Sequence, residues 1–291
     1  MVWDWIIASY LFLAGMGAGA FALSALASFV KPELKKLRTI GYIIAPVVVI
    51  VGCLLLMVDA KGGLLNPIRF FFIVSNLQSV MAWGVIILCL FIVVSAITLL
   101  FMLKKGSTPK ALDIVGLVLA VCVAAYTGLL LGMAPGFPLW NPVVLPLLFI
   151  VSAVSSGFAA VLFVSYIMGS KEAGELGFLK KTGIGLPVLE AVLVIVLFVV
   201  AMMTQGSAAE AAAASVMNMV AGSYALPFWV GFVIVGLVAP LAIEFMHQRK
   251  AVASSDGGSQ NAMAIVGEAC VLIGAFMLRF LMIMAAIPTF A

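Results

Sequence analysis

The sequence predicts an all-α integral membrane protein of eight transmembrane helices, arranged as two four-helix bundles with both termini outside. Three observations carry this reading. The 291 residues are 66% hydrophobic and only 9% charged, whereas a soluble domain carries about a quarter charged residues. Mean hydropathy is +1.33. Runs of about 20 apolar residues recur, the length that carries a helix across about 30 Å of hydrocarbon.

The expected spans are 5–30, 39–60, 78–103, 112–133, 143–168, 186–204, 226–246 and 263–290. Span 1 starts beside Trp3 and Trp5, which read as interface anchors. It has no basic n-region and is too long for an h-region, so it is not expected to be a cleaved signal peptide. Span 2 ends at Asp59, and Arg69 follows in the next loop. Span 3 opens after Gln78. Span 4 holds Tyr126 about two turns from its end. A Pro138-Leu139-Trp140-Asn141-Pro142 turn leads into span 5. Span 6 contains Glu190, and span 7 ends toward His247-Gln248-Arg249-Lys250. Span 8 contains Glu268 and Arg279. The Ala-rich stretch 207–221 has high helix propensity and either lies on the surface or extends a neighbouring span.

Basic residues orient the spans. Lys31, Lys35, Lys36 and Arg38 follow span 1, and Lys104, Lys105 and Lys110 follow span 3. Lys171, Lys180 and Lys181 follow span 5, and Arg249 and Lys250 follow span 7. The opposite loops hold only Lys61 and Arg69. The termini are therefore expected outside, in a multi-pass protein of the inner (cytoplasmic) membrane. The net charge of +4 is a topology signal and does not point to nucleic acid.

Cys53, Cys89, Cys122 and Cys270 each stand alone in an apolar span, with no CxxC. They read as packing residues, so no iron-sulfur cluster and no metal site is expected in this protein. His247 is the one histidine. A b-type haem held by two histidines is excluded.

Buried charge needs a reason, because a charge at mid-bilayer costs about 2.5–3.5 kcal/mol even on insertion scales. Glu190 and Glu268 fall near the inner ends of their spans, and Arg279 lies deeper. They suit a proton route from the inner side, or snorkelling and hydrogen bonding to a neighbouring helix. Asp113 and Glu244 sit at inner span ends and are expected to be solvated. In the outer half, Tyr10, Asp59, Arg69, Tyr126, Trp140 and Asn141 come from five segments at one membrane level. A lipid-facing aromatic belt accounts for Tyr10 and Trp140, but not for Asp59 or the depth of Tyr126. Tyr and Asn can hydrogen-bond a carbonyl or hydroxyl, and Trp can wall in a flat ring. The group reads as a small-molecule site at a lipid–water boundary.

Spans 1 and 5 share a faint pattern. Leu11-Phe12 matches Leu148-Phe149, and Phe21-Ala22 matches Phe158-Ala159 at equal spacing. Gly15 and Gly19 fall opposite Ser152 and Ser156. A four-span unit used twice fits, as does the small-xxx-small spacing of any close helix contact. The corresponding division is 1–133, carrying the outer site, and 134–291, carrying the proton route.

Several stretches in order carry a resemblance. They are Trp5 through Phe21 (WIIASYLFLAGMGAGAF), Asp59 through Arg69, Gln78-Ser79-Val80-Met81-Ala82-Trp83-Gly84, Tyr126 through Gly157, and Gly274 through Ile283 with Leu278-Arg279-Phe280. Together they resemble the polysulfide reductase (NrfD-type) family of membrane quinol subunits. The resemblance implies a haem-free subunit that binds a quinone (menaquinone or ubiquinone). It also implies docking of a ferredoxin-like iron-sulfur protein, wired to a molybdopterin-type catalytic subunit. A span-4 tyrosine at the quinone ring corresponds to Tyr126, with Asp59 as proton acceptor and Tyr10, Arg69, Trp140 and Asn141 around the ring. Some members place a histidine in span 1. This protein has none there, and Tyr10 is the nearest polar group. The competing readings are a secondary transporter, which a parallel repeat and buried charges also suit, and a passive membrane anchor.

Overall fold

A computed structural model describes residues 4–59, 76–134, 136–170, 172, 177–250 and 257–289; of residues 59, 177–181, 247–250 and 257–260 the backbone alone is described. Among these residues the fold is helical, and eight helices are long and apolar enough to cross a membrane. Helices are the physical requirement here, because hydrocarbon offers no partner for an exposed backbone amide. The spans are Trp5–Val30, Lys35–Asp59, Val80–Lys105, Lys110–Gly132, Val144–Ile167, Gly177–Met202, the pair Pro227–Val238 with Ala239–Lys250, and Gly257–Met284. A further helix, Ala209–Val220, packs Ala212, Ser215, Val216 and Met219 inward at one end of the molecule.

Local chemistry sets the ends. The Asp4 carboxylate accepts from the amides of Ile6 and Ile7 and caps span 1. Gly106, at φ +66°, closes span 3 in the left-handed conformation, its N–H bonded to the Met102 carbonyl. The first half of span 7 is a π-helix, Pro227–Val238, a wider coil than the α-helix it continues into.

Several span ends differ from the sequence reading: span 2 starts at Lys35 rather than 39, span 7 runs to Lys250 rather than 246, and span 8 starts at Gly257 rather than 263. Span 6 starts at Gly177 rather than 186, because helical hydrogen bonding continues past the apolar stretch into Lys180, Lys181 and three glycines. Span 8 ends at Met284 rather than 290. Beyond it the backbone makes other bonds: the Ile287 amide to Ser215 Oγ at 2.9 Å, and the Thr289 amide to the Gly136 carbonyl at 2.8 Å.

Spans 1 and 5 form the centre. In span 1, 72% of the most apolar stretch is buried, and in span 5 67%, against 28% in spans 3, 6 and 7. Span 1 packs on spans 2, 4, 5 and 8, and span 5 packs on spans 1, 2, 4, 6 and 8. The two central helices meet backbone to backbone at Gly19 and Gly157. A methyl group on Gly19 would overlap the Ala153 carbonyl, and one on Gly157 would overlap the Gly19 backbone. The small-xxx-small spacing thus serves a direct contact between these spans.

The end holding Asp4, residues 136–142 and Thr289 is termed the N-terminal face. The end holding Lys35, Lys104 and Lys110 is the lysine-rich face. Near the latter, Asp113 is fully buried. It accepts from Ser28 at 2.5 Å, Tyr42 at 2.6 Å and Thr108 at 2.7 Å. Arg38, also buried, donates to Thr108. The expectation that Asp113 is solvated is therefore wrong. Its partners stand 85, 71 and 5 residues away, and only the packing of spans 1, 2 and 4 assembles them.

Candidate functional site

Four spans converge below the N-terminal face on a pair of tyrosines. Tyr10 of span 1 is fully buried and Tyr126 of span 4 nearly so. Their hydroxyls face one another, and Cys53 of span 2 stands beside both. Among the described residues the Tyr10 hydroxyl has no partner in good hydrogen-bond geometry. Gly84 of span 3 lies against the Tyr126 ring, and any side chain there would overlap it. Span 3 thus presses Tyr126 inward, and the missing side chain of Gly84 is what lets it do so.

The neighbouring turn is built differently from the sequence expectation. Trp140 is buried, and its indole N–H donates to the Met282 carbonyl at 2.6 Å. Its ring stacks on Phe137 at 4.1 Å. Asn141 Oδ1 accepts from the amides of Val143 and Val144, at 2.9 and 3.0 Å, at the start of span 5. Both polar groups therefore hold the turn in place. Arg69 and the side chain of Asp59 lie outside the described residues.

A second polar cluster joins spans 5, 6 and 8. Arg279 is fully buried, and its Nη1 donates to Ser152 Oγ and to the Ala275 carbonyl, both at 2.9 Å. Among the described residues its Nε and Nη2 have no hydrogen-bond partner. The guanidinium stands over the Phe149 ring, 5.2 Å from the centroid, a cation–π contact. Glu190, 4% exposed, faces Ser152, Ser155 and the Arg279 charge, while its Oε1 is left unpartnered. Span 1 makes room for the arginine: a methyl group on Gly15 would stand 2.6 Å from Nη2. Ser152 therefore sits between acid and base. Glu268 belongs to a different group, with Glu244 of span 7 and Tyr166 of span 5. The structure brings Glu190 and Arg279 together and leaves Glu268 apart.

Comparison with known proteins places this arrangement. The sequence pattern of the family described as Polysulphide reductase, NrfD matches residues 1–291. The protein belongs to the NrfD family. It is 33% identical over 311 residues to the C subunit of polysulfide reductase from Wolinella succinogenes, covering 98% of this sequence and 94% of that one. It is 30% identical to protein NrfD of Escherichia coli, covering 100% of this sequence and 96% of the relative. A protein NrfD homolog of Haemophilus influenzae is also 30% identical, with the same coverage. The molecule is thus a multi-pass membrane member of this family.

Within this NrfD-family protein, four residues of these clusters escape sequence reasoning. Cys53 reads as a packing residue, although its place between two tyrosines gives it a part in the site. Gly84 is one letter of a motif, and its contact with Tyr126 depends on the rotation of span 3. Ser152 and Ser155 read as close-packing residues, although two serines three apart on one helix face can serve both an acid and a base.

Proposed function

We propose that this protein is the quinol- or quinone-binding membrane subunit of a respiratory oxidoreductase complex, with the Tyr10–Tyr126 pair at its ring site. The observation that carries the reading is the Tyr10 hydroxyl, fully buried, facing Tyr126 and without a hydrogen bond of good geometry among the described residues. An unsatisfied buried hydroxyl costs about 1–3 kcal/mol, and a ring oxygen would supply the missing bond. Two phenols and a thiol in apolar surroundings fit a neutral, flat ligand with two oxygens. Membership of the NrfD family, and a relative named as a polysulfide reductase subunit, support the same class.

When bound, a quinol supplies two electrons and two protons. Tyr126 donates a hydrogen bond to one ring oxygen and holds its position. Tyr10, in the place where some relatives carry a histidine, offers a second hydroxyl. Trp140 and Asn141 fix the turn that closes this end. Asp59, six residues beyond Cys53 and so about 9 Å further along span 2, accepts a proton and passes it to the N-terminal face; Arg69 is assigned to the same ring site. The electrons pass to a ferredoxin-like iron-sulfur subunit docked on that face, and from there to a molybdopterin-type catalytic subunit. Glu190, Ser152 and Arg279 form a proton-exchange path, to which Glu268 would connect on the lysine-rich side.

The same reading places the N-terminal face outside the inner membrane and divides the sequence into four-helix units at 133/134. Reporter fusions at residues 107 and 255 should read cytoplasmic, and one after Ala291 should read outside. A cytoplasmic C-terminal fusion would reverse the orientation.

The central test is Tyr126→Phe. It keeps the ring against Gly84 and removes only the hydroxyl. Loss of one neutral hydrogen bond, about 0.5–1.5 kcal/mol, should weaken quinone affinity roughly 3- to 10-fold. Turnover of the partner with an artificial donor should not change. Unchanged affinity would move the ring site away from Tyr126.

A further inference from the structure

At the opposite end, a groove of about 340 Å³ opens between the start of span 2 and the end of span 5. Lys35, Lys36, Ile40, Ile43, Val164 and Met168 line it. It plays no part in the tyrosine or arginine clusters. Its lining divides by depth. Lys35 and Lys36 are exposed at the mouth, while the four apolar side chains form the walls. Among the described residues neither ammonium joins an ion pair. The nearby Glu172 carboxylate is engaged by the Leu37 amide at 2.9 Å. The Thr39 hydroxyl donates to the Lys35 carbonyl at 2.7 Å, so its proton is already committed. Recognition at the mouth therefore falls to the two positive charges.

We propose that this groove binds an anionic phospholipid, its phosphate between Lys35 and Lys36 and one acyl tail along the isoleucine wall. Charge and register both point to that occupant. Two cations that form no ion pair among the described residues complement a phosphodiester, and basic pockets between transmembrane helices seat acidic headgroups. Span 2 then continues the apolar wall as an exposed stripe, with Ile43, Val47, Ile50 and Leu54 at helical spacing. Ile43 and Val47 lie about 10 and 16 Å from Lys36 along the axis, enough to follow an acyl tail through one leaflet of a roughly 30 Å core. A free phosphate would use the lysines and leave the wall idle. A zwitterionic lipid would use the wall and set a choline or ethanolamine charge against the lysines.

The lipid would bind where the central span 5 meets span 2, and so would brace the two against each other. Its site is far from the proposed ring site, and the inference does not depend on that reading.

The test uses the full-length protein in nanodiscs of phosphatidylcholine, titrated with phosphatidylglycerol and followed by native mass spectrometry of the retained lipid. Selective retention of phosphatidylglycerol is expected. Each lysine near a headgroup is worth about a fivefold preference, so Lys35→Gln with Lys36→Gln should lower selectivity about thirtyfold. Lys104→Gln with Lys105→Gln, on the same face but outside the groove, should leave it unchanged. Ile43→Trp should obstruct the groove and reduce retention with both lysines intact. Equal retention of phosphatidylcholine, an equal loss in the Lys104/Lys105 variant, or displacement by excess inorganic phosphate would overturn the proposal. Thermal unfolding of each variant identifies any that fails to fold. Ile43→Trp and the lysine pair alter different parts of the groove, so either alone decides the outcome.

Discussion

The tyrosine cluster of spans 1–4 and the arginine cluster of spans 5, 6 and 8 are both buried, and both leave polar atoms without partners. They differ in charge. The first is built of neutral phenols and a thiol, and the second of a guanidinium and a carboxyl group with a serine between them. The difference matters because a neutral unpaired group costs about 1–3 kcal/mol when buried, whereas an unpaired charge costs far more. The tyrosine cluster can await a neutral ligand. The arginine cluster already carries charge, a buried guanidinium that the Glu190 carboxyl group balances whenever it is ionised.

The contrast is broken most severely by Arg279→Met. Removing one member of a buried charged pair costs about 3–5 kcal/mol. The yield of folded protein and its melting temperature should fall sharply. Glu190→Gln combined with Arg279→Met should recover most of that loss, since no charge then remains. A single variant as stable as the parent would mean that Arg279 and Glu190 do not act as a charged pair, and the contrast would vanish.

Crowding the tyrosines should come next. Gly84→Val places branched carbon into the Tyr126 ring, and overpacking of this kind costs about 1–3 kcal/mol. Quinone binding should drop more than stability, because Tyr126 must move. The opposite outcome would assign Gly84 to packing alone.

The smallest effect has a characteristic sign. Tyr10→Phe deletes an unpartnered hydroxyl, so the ligand-free protein should gain stability, by up to about 1 kcal/mol. Quinone affinity should fall at the same time. A loss of stability without ligand would mean that the hydroxyl has a partner within the protein.

How much of this is legible in the sequence follows from what helices in a membrane leave undetermined. Apolar run length fixes the existence of all eight spans. Tyr10 and Tyr126 can be placed at one depth, because each is counted from the end of its own span. Rotation about the helix axis is harder to read, because spans 1, 3 and 5 are apolar on nearly every side. Whether Gly84 faces Tyr126, or Ser152 faces Glu190, depends on that rotation. The internal bonds of Trp140 and Asn141 are illegible for a related reason. Their chemistry suits a ligand, but the Met282 carbonyl is 142 residues away, and two free amides at the start of span 5 claim the asparagine. The faint repeat between spans 1 and 5 does mark a real feature, the backbone contact of Gly19 with Gly157.

The lacing at the N-terminal face also sets an order in time. Trp140 is made 142 residues before Met282, whose carbonyl receives its N–H. Gly136 precedes Thr289, which bonds to it, by 153 residues. At about 5–20 residues per second the turn waits on the order of ten seconds for its partners. During synthesis, then, the ring of Trp140 rests at the headgroup level, where a tryptophan is comfortable. Span 8 converts it from a lipid anchor into a latch, so the turn is locked only after that span has entered the bilayer.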